Sequence, residues 1–334
     1  MTNKVDKKSK IAFKIFINNP EVKVLIPPLI IIIALFIIGQ LVNPGFGSLS
    51  NIGNIVALAM VLTIGAAGQT LIIISGGTGK DGIDLSVGAL MSMGAVIGSG
   101  LLRGNDSNLF LTFVLLCLLG AFFGSVGGSG VVWLGIPPLV ITLALSSVVD
   151  GFTLAVSKGR PFGAASNILL AVGGNRYFGW LRLIVIVGIV IVVLFTLLLR
   201  KSRYGKKLFL TGNNQAAAKI NGINSKIVVL IAFIIAGIMG TIGGLFLLAN
   251  VGSAQMQMGS RYTMLSIAAV VLGGTELTGG RGSYIGTAFG AIVIITLTNI
   301  LTAVNMQQGW RLMIIGGVVV TILSIYARRP SLRQ

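Results

Sequence analysis

The chain contains no histidine, one cysteine and only seven acidic residues, and just 10% of its 334 residues are charged. Without histidine, and with Cys117 alone inside the apolar run Leu109 to Val132, no zinc or haem site is expected and no intrachain disulfide can form. So few acids leave no constellation for a nucleophile and base, and hydrolytic or redox enzymology is excluded on the same ground. A soluble domain carries about 25% charged residues. With 54% hydrophobic residues and a mean hydropathy of +0.98, this chain cannot keep its surface in water, and it reads as an integral membrane protein. The net charge of +18 is no nucleic-acid footprint, because the basic residues fall in short segments between apolar runs.

Hydropathy predicts an all-α fold with about ten transmembrane helices: 24–42, 52–74, 84–102, 109–132, 138–157, 182–199, 227–249, 262–273, 284–304 and 310–327. Most reach the roughly 20 residues that about 30 Å of hydrocarbon requires. The run 262–273 is short and enters Gly273-Gly274, as a broken or re-entrant helix does where protein or a cavity covers its backbone. Ten spans with a cytoplasmic amino terminus put eighteen of the 25 basic residues inside and both termini in the cytoplasm. The expected organisation is a basic cytoplasmic segment 1–23, one permease-like membrane domain 24–327, and a cytoplasmic tail 328–334 carrying Arg328 and Arg329. No A-x-A-like site follows the first apolar run, so the basic amino-terminal stretch reads as an anchor flank and not as a cleaved signal.

Two stretches separated by 192 residues match: Gly82-Ile-Asp84-Leu85-Ser86-Val-Gly88 with Gly94 and Gly98, and Gly274-Thr-Glu276-Leu277-Thr278-Gly-Gly280 with Gly286 and Gly290. The 47 glycines make coincidence an alternative, but the acid, the leucine and the hydroxyl keep register too. The match (82–98 and 274–290) predicts two related halves, the usual trace of a transport pathway at a repeat interface. Asp84 and Glu276, with Ser86 and Thr278, are expected at helix starts, where a carboxylate accepts from free N–H groups and complements the helix dipole. The glycines are expected to let backbones pack closely.

The loop 200–226 is the most informative polar piece. Asn213 or Asn214 is expected to cap a short helix centred on Ala216 to Lys219, ended by Gly222, with small residues outward as a surface for another protein. A plain connector with basic anchors is the competing reading. Within the spans, Asp150 costs about 2.5 kcal/mol or more in hydrocarbon and is read either as lining a pathway or as paired with Arg160 or Arg182. Gln69, Asn299 and Thr296 are further polar candidates, for the pathway or for contacts between helices.

Gly82-Ile-Asp-Leu-Ser-Val-Gly88 after Ser75-Gly76-Gly77, Gly212-Asn-Asn-Gln-Ala-Ala-Ala-Lys-Ile-Asn-Gly-Ile223, and Ala268-Ala-Val-Val-Leu-Gly-Gly-Thr-Glu-Leu-Thr-Gly-Gly-Arg-Gly-Ser283 resemble the signature stretches of ribose-type permeases. Those are the membrane subunits of ATP-binding-cassette sugar importers, within the wider family of branched-chain amino acid and monosaccharide permeases. Gly135-Ile-Pro137-Pro138 and Gly159-Arg160-Pro161 extend the likeness along nearly the whole chain, while the stretch Gly76 to Asp81 is a few residues longer than the pattern.

The resemblance implies a second permease subunit, identical or related, and a cytoplasmic ATP-binding subunit under each. It also implies an extracytoplasmic solute-binding protein, in a bacterial inner membrane. It makes Asn213, Asn214, Ala217, Ala218, Lys219, Gly222 and Ile223 the helix that couples to the ATPase. No cofactor is implied for this chain, because ATP belongs to the partner. The nearest P-loop candidate, Gly79-Lys80, has Ile74 where a glycine and Asp81 where a hydroxyl is needed. The competing class is an ion-coupled secondary transporter centred on Asp150, which needs no docking helix.

Overall fold

The computed structural model describes residues 20–76, 82–160, 163–174, 176–177 and 179–327. Residues 1–19 of the basic segment, the Gly77 to Asp81 insertion, Pro161 and the tail 328–334 lie outside the described residues. The described chain is helical apart from a two-stranded hairpin. Helix α1 is Pro20–Val42, α2 Leu49–Ser75, α3 Val87–Leu102, α4 Leu109–Val132, α5 Pro138–Ser157 and α6 Asn167–Gly174. After β1 (Arg176–Tyr177) and β2 (Leu181–Arg182) come α7 Leu183–Lys201, α8 Arg203–Asn213 and α9 Gln215–Ile220. The chain closes with α10 Ser225–Val251, α11 Tyr262–Leu272, α12 Tyr284–Ala303 and α13 Gln308–Ala327.

Among the described residues seven helices are long and apolar enough to cross a membrane: the Val24–Val42 part of α1, α2, α4 with the 3₁₀ turn before it, α5, α7, α10 and α12. Of the other three expected spans, 310–327 is present as the 20-residue α13, 84–102 is shorter than expected as α3, and 262–273 is short, as expected, as α11. At 1.5 Å per residue, the 16 residues of α3 and the 11 of α11 reach only about 24 and 17 Å, less than the hydrocarbon thickness. The chain is a multi-pass membrane protein, with outward leucine, isoleucine and phenylalanine on α1, α4 and α7 of the kind lipid accepts.

The centre is α2 with α10. Each has 27 residues, starts at a side-chain cap (Ser48 Oγ on Asn51 N–H; Asn224 Oδ1 on Lys226 N–H) and stops at a left-handed glycine, Gly76 (φ 68°) and Gly252 (φ 83°). α2 is buried along nearly its whole length, whereas α1 leaves most of its residues exposed or half-buried. The two cross antiparallel at close quarters: Gly68 faces Ala236, and seven residues later in α10 Gly243 faces Gly65. Beyond each glycine stop the chain enters a short helix, α3 or α11, from residues without regular secondary structure, 82–86 or 252–261. These short helices exchange sides. α3 packs on α10 and α11 on α2; α4 likewise lies along α10 and α12 along α2.

The halves are therefore related with opposite direction, α2–α3–α4 matching α10–α11–α12. This corrects the register read from sequence. Gly82 to Gly88 leads into α3, whereas Gly274 to Gly280 lies after α11, in the loop before α12. The matching motifs stand at different places in the two halves, because the glycine pattern reports close packing and each half needs that at more than one point.

Candidate functional site

Three chain segments far apart in sequence meet at the end of the bundle that carries α8 and α9. The last turn of α2 ends at Ile74 to Gly76. The loop 273–283 folds onto it, with Gly280 N–H donating to the Ile74 carbonyl at 2.8 Å, so the loop accepts into its own frame a carbonyl that a helix end leaves free. Onto both comes the carboxy-terminal turn of α8. Asn213 Nδ2 donates to the Gly280 carbonyl at 3.0 Å, and a methyl on Gly212 would strike the Ile74 carbonyl oxygen and the Gly280 amide. At its other end α8 is held by Tyr204, whose hydroxyl donates to the Val228 carbonyl in the first turn of α10 at 3.1 Å. Burial pushes the Tyr204 phenol above its ordinary pKa, so it stays a donor throughout the physiological range.

The expected helix of the 200–226 loop is present as α9. Asn214 accepts from Ala217 N–H at 3.0 Å, and Gly222 turns the chain at φ 71°. Two features differ from the expectation. An eleven-residue helix, α8, precedes α9; its two glycines, arginine, two lysines and threonine hid it from a hydropathy reading, while Gly205, Leu208 and Thr211 bury one face at helical spacing. And the small residues do not all face outward. Ala218 is fully buried and Ala217 half-buried, whereas Ile220, absent from the sequence-based set, is 87% exposed. Asn213, Asn214, Lys219 and Gly222 are exposed and Ile223 is half-buried. Arg200, Lys201, Arg203, Lys206, Lys207, Lys219, Lys226 and Arg281 are all exposed around this end.

The acids of the two motifs do not cap helices. Asp84 lies two residues short of the α3 cap position and is 1% exposed; its Oδ1 accepts from Ser86 N–H at 2.8 Å and from the Ser86 hydroxyl at 2.6 Å, an Asx turn. Ser86 stands at the amino end of α3 but makes no side-chain cap bond. Glu276 sits in the 273–283 loop, where its carboxylate meets the Arg281 guanidinium at 3.5 Å with both groups well exposed, and the cap of α12 is Ser283. Thr278 is in the same loop. Gly274 and Gly280 have φ of 81° and 74°, and Gly88 is packed against Thr263 and Gly259.

The pathway candidates are not brought together. Gln69 is fully buried; its Oε1 accepts from Asp84 N–H at 3.2 Å, pinning the irregular 82–86 segment beside α2, with Leu85 N–H held by Thr142 of α5 at 3.0 Å. Asn299 is spent on Asn51 of α2 at 3.2 Å, and Thr296 bonds the Ile292 carbonyl of its own helix. Asp150 is half-buried beside the packed stripe Thr142, Leu145, Val149 and Thr153 of α5, one turn from Ser146. Arg182 instead reaches Asn54 at 2.8 Å and the Gly173 carbonyl.

One polar surface went unread in the sequence. The segment 252–261 dips from the other end of the bundle until Gly259 N–H meets Ser92 of α3 at 3.0 Å, and it exposes Ser253, Gln255, Gln257, Ser260 and Arg261. Gln257 holds a left-handed φ of 57°, a strained conformation for a side-chain-bearing residue. The signal was there as a polar stretch between two apolar runs, but nothing in it distinguishes a dipping segment from an ordinary external loop.

Inverted halves, broken helices meeting inside the bundle and a polar helix pair at one end define a membrane transport component. Residues 51–323 match the family described as the permease component of the branched-chain amino acid transport system, and the chain belongs to that family. It is 32% identical to the ribose import permease protein of Bacillus subtilis, over 91% of this chain and 92% of that one. It is 30% identical to the ribose import permease protein of Escherichia coli K12, over 88% and 90%. It is 29% identical to the galactose/methyl galactoside import permease protein of Salmonella typhimurium, over 86% and 90%. A further relative is the autoinducer 2 import system permease protein of Photorhabdus luminescens, 29% identical over 93% and 90%. No solved structure matches the chain.

Proposed function

We propose that the chain is the membrane-spanning half of an ATP-binding-cassette importer for a monosaccharide or a similarly small polar solute. A second permease subunit completes the pathway, a binding protein outside delivers the solute, and a separate cytoplasmic ATPase drives it. The observation that carries this reading is α9, a short capped helix at the end of the bundle with Ile220 almost wholly exposed at its tip and basic residues around it. An isoleucine so exposed on a polar helix fits the hydrophobic anchor of a protein contact, and the basic ring marks that end as cytoplasmic. Both termini are then cytoplasmic.

Asp150 and the dipping segment 252–261 supply the polar surface of the pathway. The spans offer few groups to match a sugar's hydroxyls, which suits an importer whose specificity resides in its binding protein. ATP is bound by the partner, and this chain carries no catalytic residue.

The test is capture of candidate ATP-binding subunits by the tagged chain in mild detergent, comparing wild type with Ile220→Asp and with the pair Ala217→Glu, Gly222→Glu. Wild type is expected to retain the ATPase and both variants to lose it while eluting as the same folded species. Absence of the ATPase from wild type, or unchanged capture by the variants, contradicts the assignment.

A further inference from the structure

We propose that Arg261, with Gln257 and Ser260 beside it, is a solute contact near the middle of the bilayer, fitted to the hydroxyls of a neutral polyol. The inference rests on the reading that the segment 252–261 borders the transport pathway, and it gives that surface a depth, a residue and a ligand chemistry.

The depth follows from two reciprocal bonds between the inverted halves. Gly252 and Gly104 stand at the same end of the bundle, since the Gly252 carbonyl accepts from Ala165 N–H at 3.4 Å and Gly104 N–H donates to the neighbouring Ala164 carbonyl at 3.0 Å. From there the segment descends along α3 until Ser92 Oγ accepts from Gly259 N–H at 3.0 Å and Thr263 Oγ1 accepts from Gly88 N–H at 3.0 Å. Each half thus gives the other one hydroxyl and one glycine amide. A methyl on Gly259 would strike the Gly88 carbonyl oxygen, and one on Gly88 the Thr263 hydroxyl, so nothing larger than glycine fits where the halves cross. At 1.5 Å per residue, Ser92 and Gly88 lie about 15 and 21 Å from the Leu102 end of α3. Arg261 falls between the two contacts, close to the middle of a hydrocarbon layer about 30 Å thick.

An arginine at that depth is costly unless it faces water or a partner. Arg261 is exposed, and its guanidinium rests over the buried ring of Tyr262, 5.3 Å from the centroid. No ion pair among the described residues includes it: Glu276 meets Arg281, and Asp84 is held by Ser86. Nor does it serve α11, because it stands at the cap position without a side-chain cap bond, and its charge opposes the positive end of that helix.

The guanidinium offers donors and no acceptor, while the side chains of Gln257 and Ser260, both exposed, can do either. A hydroxyl needs an acceptor for its proton and a donor for its lone pairs, so this mixed set matches a polyol, and the planar fork spans two neighbouring oxygens. So small a set of contacts suits a translocation step, where a solute must be released as readily as it is held. An anionic solute would pair with the guanidinium and leave Gln257 and Ser260 without a role.

The experiment uses the full complex of this chain with its ATP-binding subunit and binding protein in proteoliposomes, and reads ATPase capture and uptake of labelled D-ribose and D-galactose. Arg261→Gln is expected to capture the ATPase like wild type and to lower uptake about tenfold, and Arg261→Lys, which keeps the charge without the fork, about threefold. Uptake equal to wild type in Arg261→Gln overturns the inference, as does a loss of uptake that tracks loss of the ATPase. Uptake equal to wild type in Arg261→Lys overturns the match to paired hydroxyls. A second measurement leaves Arg261 in place: Gln257→Cys and Ser260→Cys, each in a Cys117→Ser chain, are treated from outside with a charged, membrane-impermeant methanethiosulfonate. Both cysteines are expected to react, and to react more slowly with sugar-loaded than with empty binding protein; failure to react overturns a water-filled site at that depth. Lack of ATP-driven uptake of both sugars by wild type counts against the proposed function, and the labelling then decides the inference by itself.

Discussion

Asp84 keeps a carboxylate in the interior with no basic side chain among the groups that hold it: the Ser86 N–H and hydroxyl bond its oxygen, and its own N–H is held by Gln69. Burying such a group is costly unless its hydrogen bonds are made, so its contribution lies in fixing the break between α2 and α3. Asp84→Ala should cost about 1–3 kcal/mol, seen as a lower thermal midpoint of the detergent-solubilised protein, and Asp84→Asn, which keeps an acceptor, markedly less. An equal loss for both would show that the charge, and not the bond to Ser86, is what the site requires. That Asp84 is special could be read from its motif. Its partner could not, because hydrogen bonding within an Asx turn and capping of the following helix use the same residues two positions apart.

At the scale of elements, stability follows how closely helices approach. Gly68 in α2 meets the Ala236 backbone of α10, and Gly120 and Gly237 bring α4 and α10 together in the same way. In lipid, where apolar residues gain little by leaving the solvent, such contacts are a main source of association between helices. Gly68→Leu should prevent assembly of α2 on α10 and yield aggregated protein on size-exclusion chromatography. Gly316→Ala in α13, where a methyl meets nothing, should leave the elution profile and midpoint unchanged or raise the latter by a few tenths of a kcal/mol equivalent. The long helices were legible because runs such as Leu49–Ser75 carry no charged residue and are apolar over most of their length. The helix α8 was not, since Arg203, Gly205, Lys206 and Lys207 mask a buried face that only packing reveals. Nor was the repeat register, because a motif of glycines records close approach without recording which helix approaches.

On the scale of the whole molecule, the antiparallel pairing of α2 with α10 makes the two halves an inverted pair, the arrangement that lets one packing open to either side. Under the proposed orientation, with the exposed basic residues around α8 and α9 on the cytoplasmic side, a fluorescent protein fused after α13 should fold and fluoresce in the cytoplasm, whereas an alkaline phosphatase fused there should stay inactive. The opposite pattern would invert the molecule and place α9 outside, out of reach of any ATPase.

ATP-driven uptake by the reconstituted complex, measured with labelled D-ribose and D-galactose, tests the central claim most directly. Uptake should require ATP on the side of α9, require the binding protein on the other side, survive collapse of proton and sodium gradients, and disappear in Ile220→Asp. Uptake that proceeds without nucleotide and follows an imposed ion gradient would contradict the account and make the chain an ion-coupled carrier.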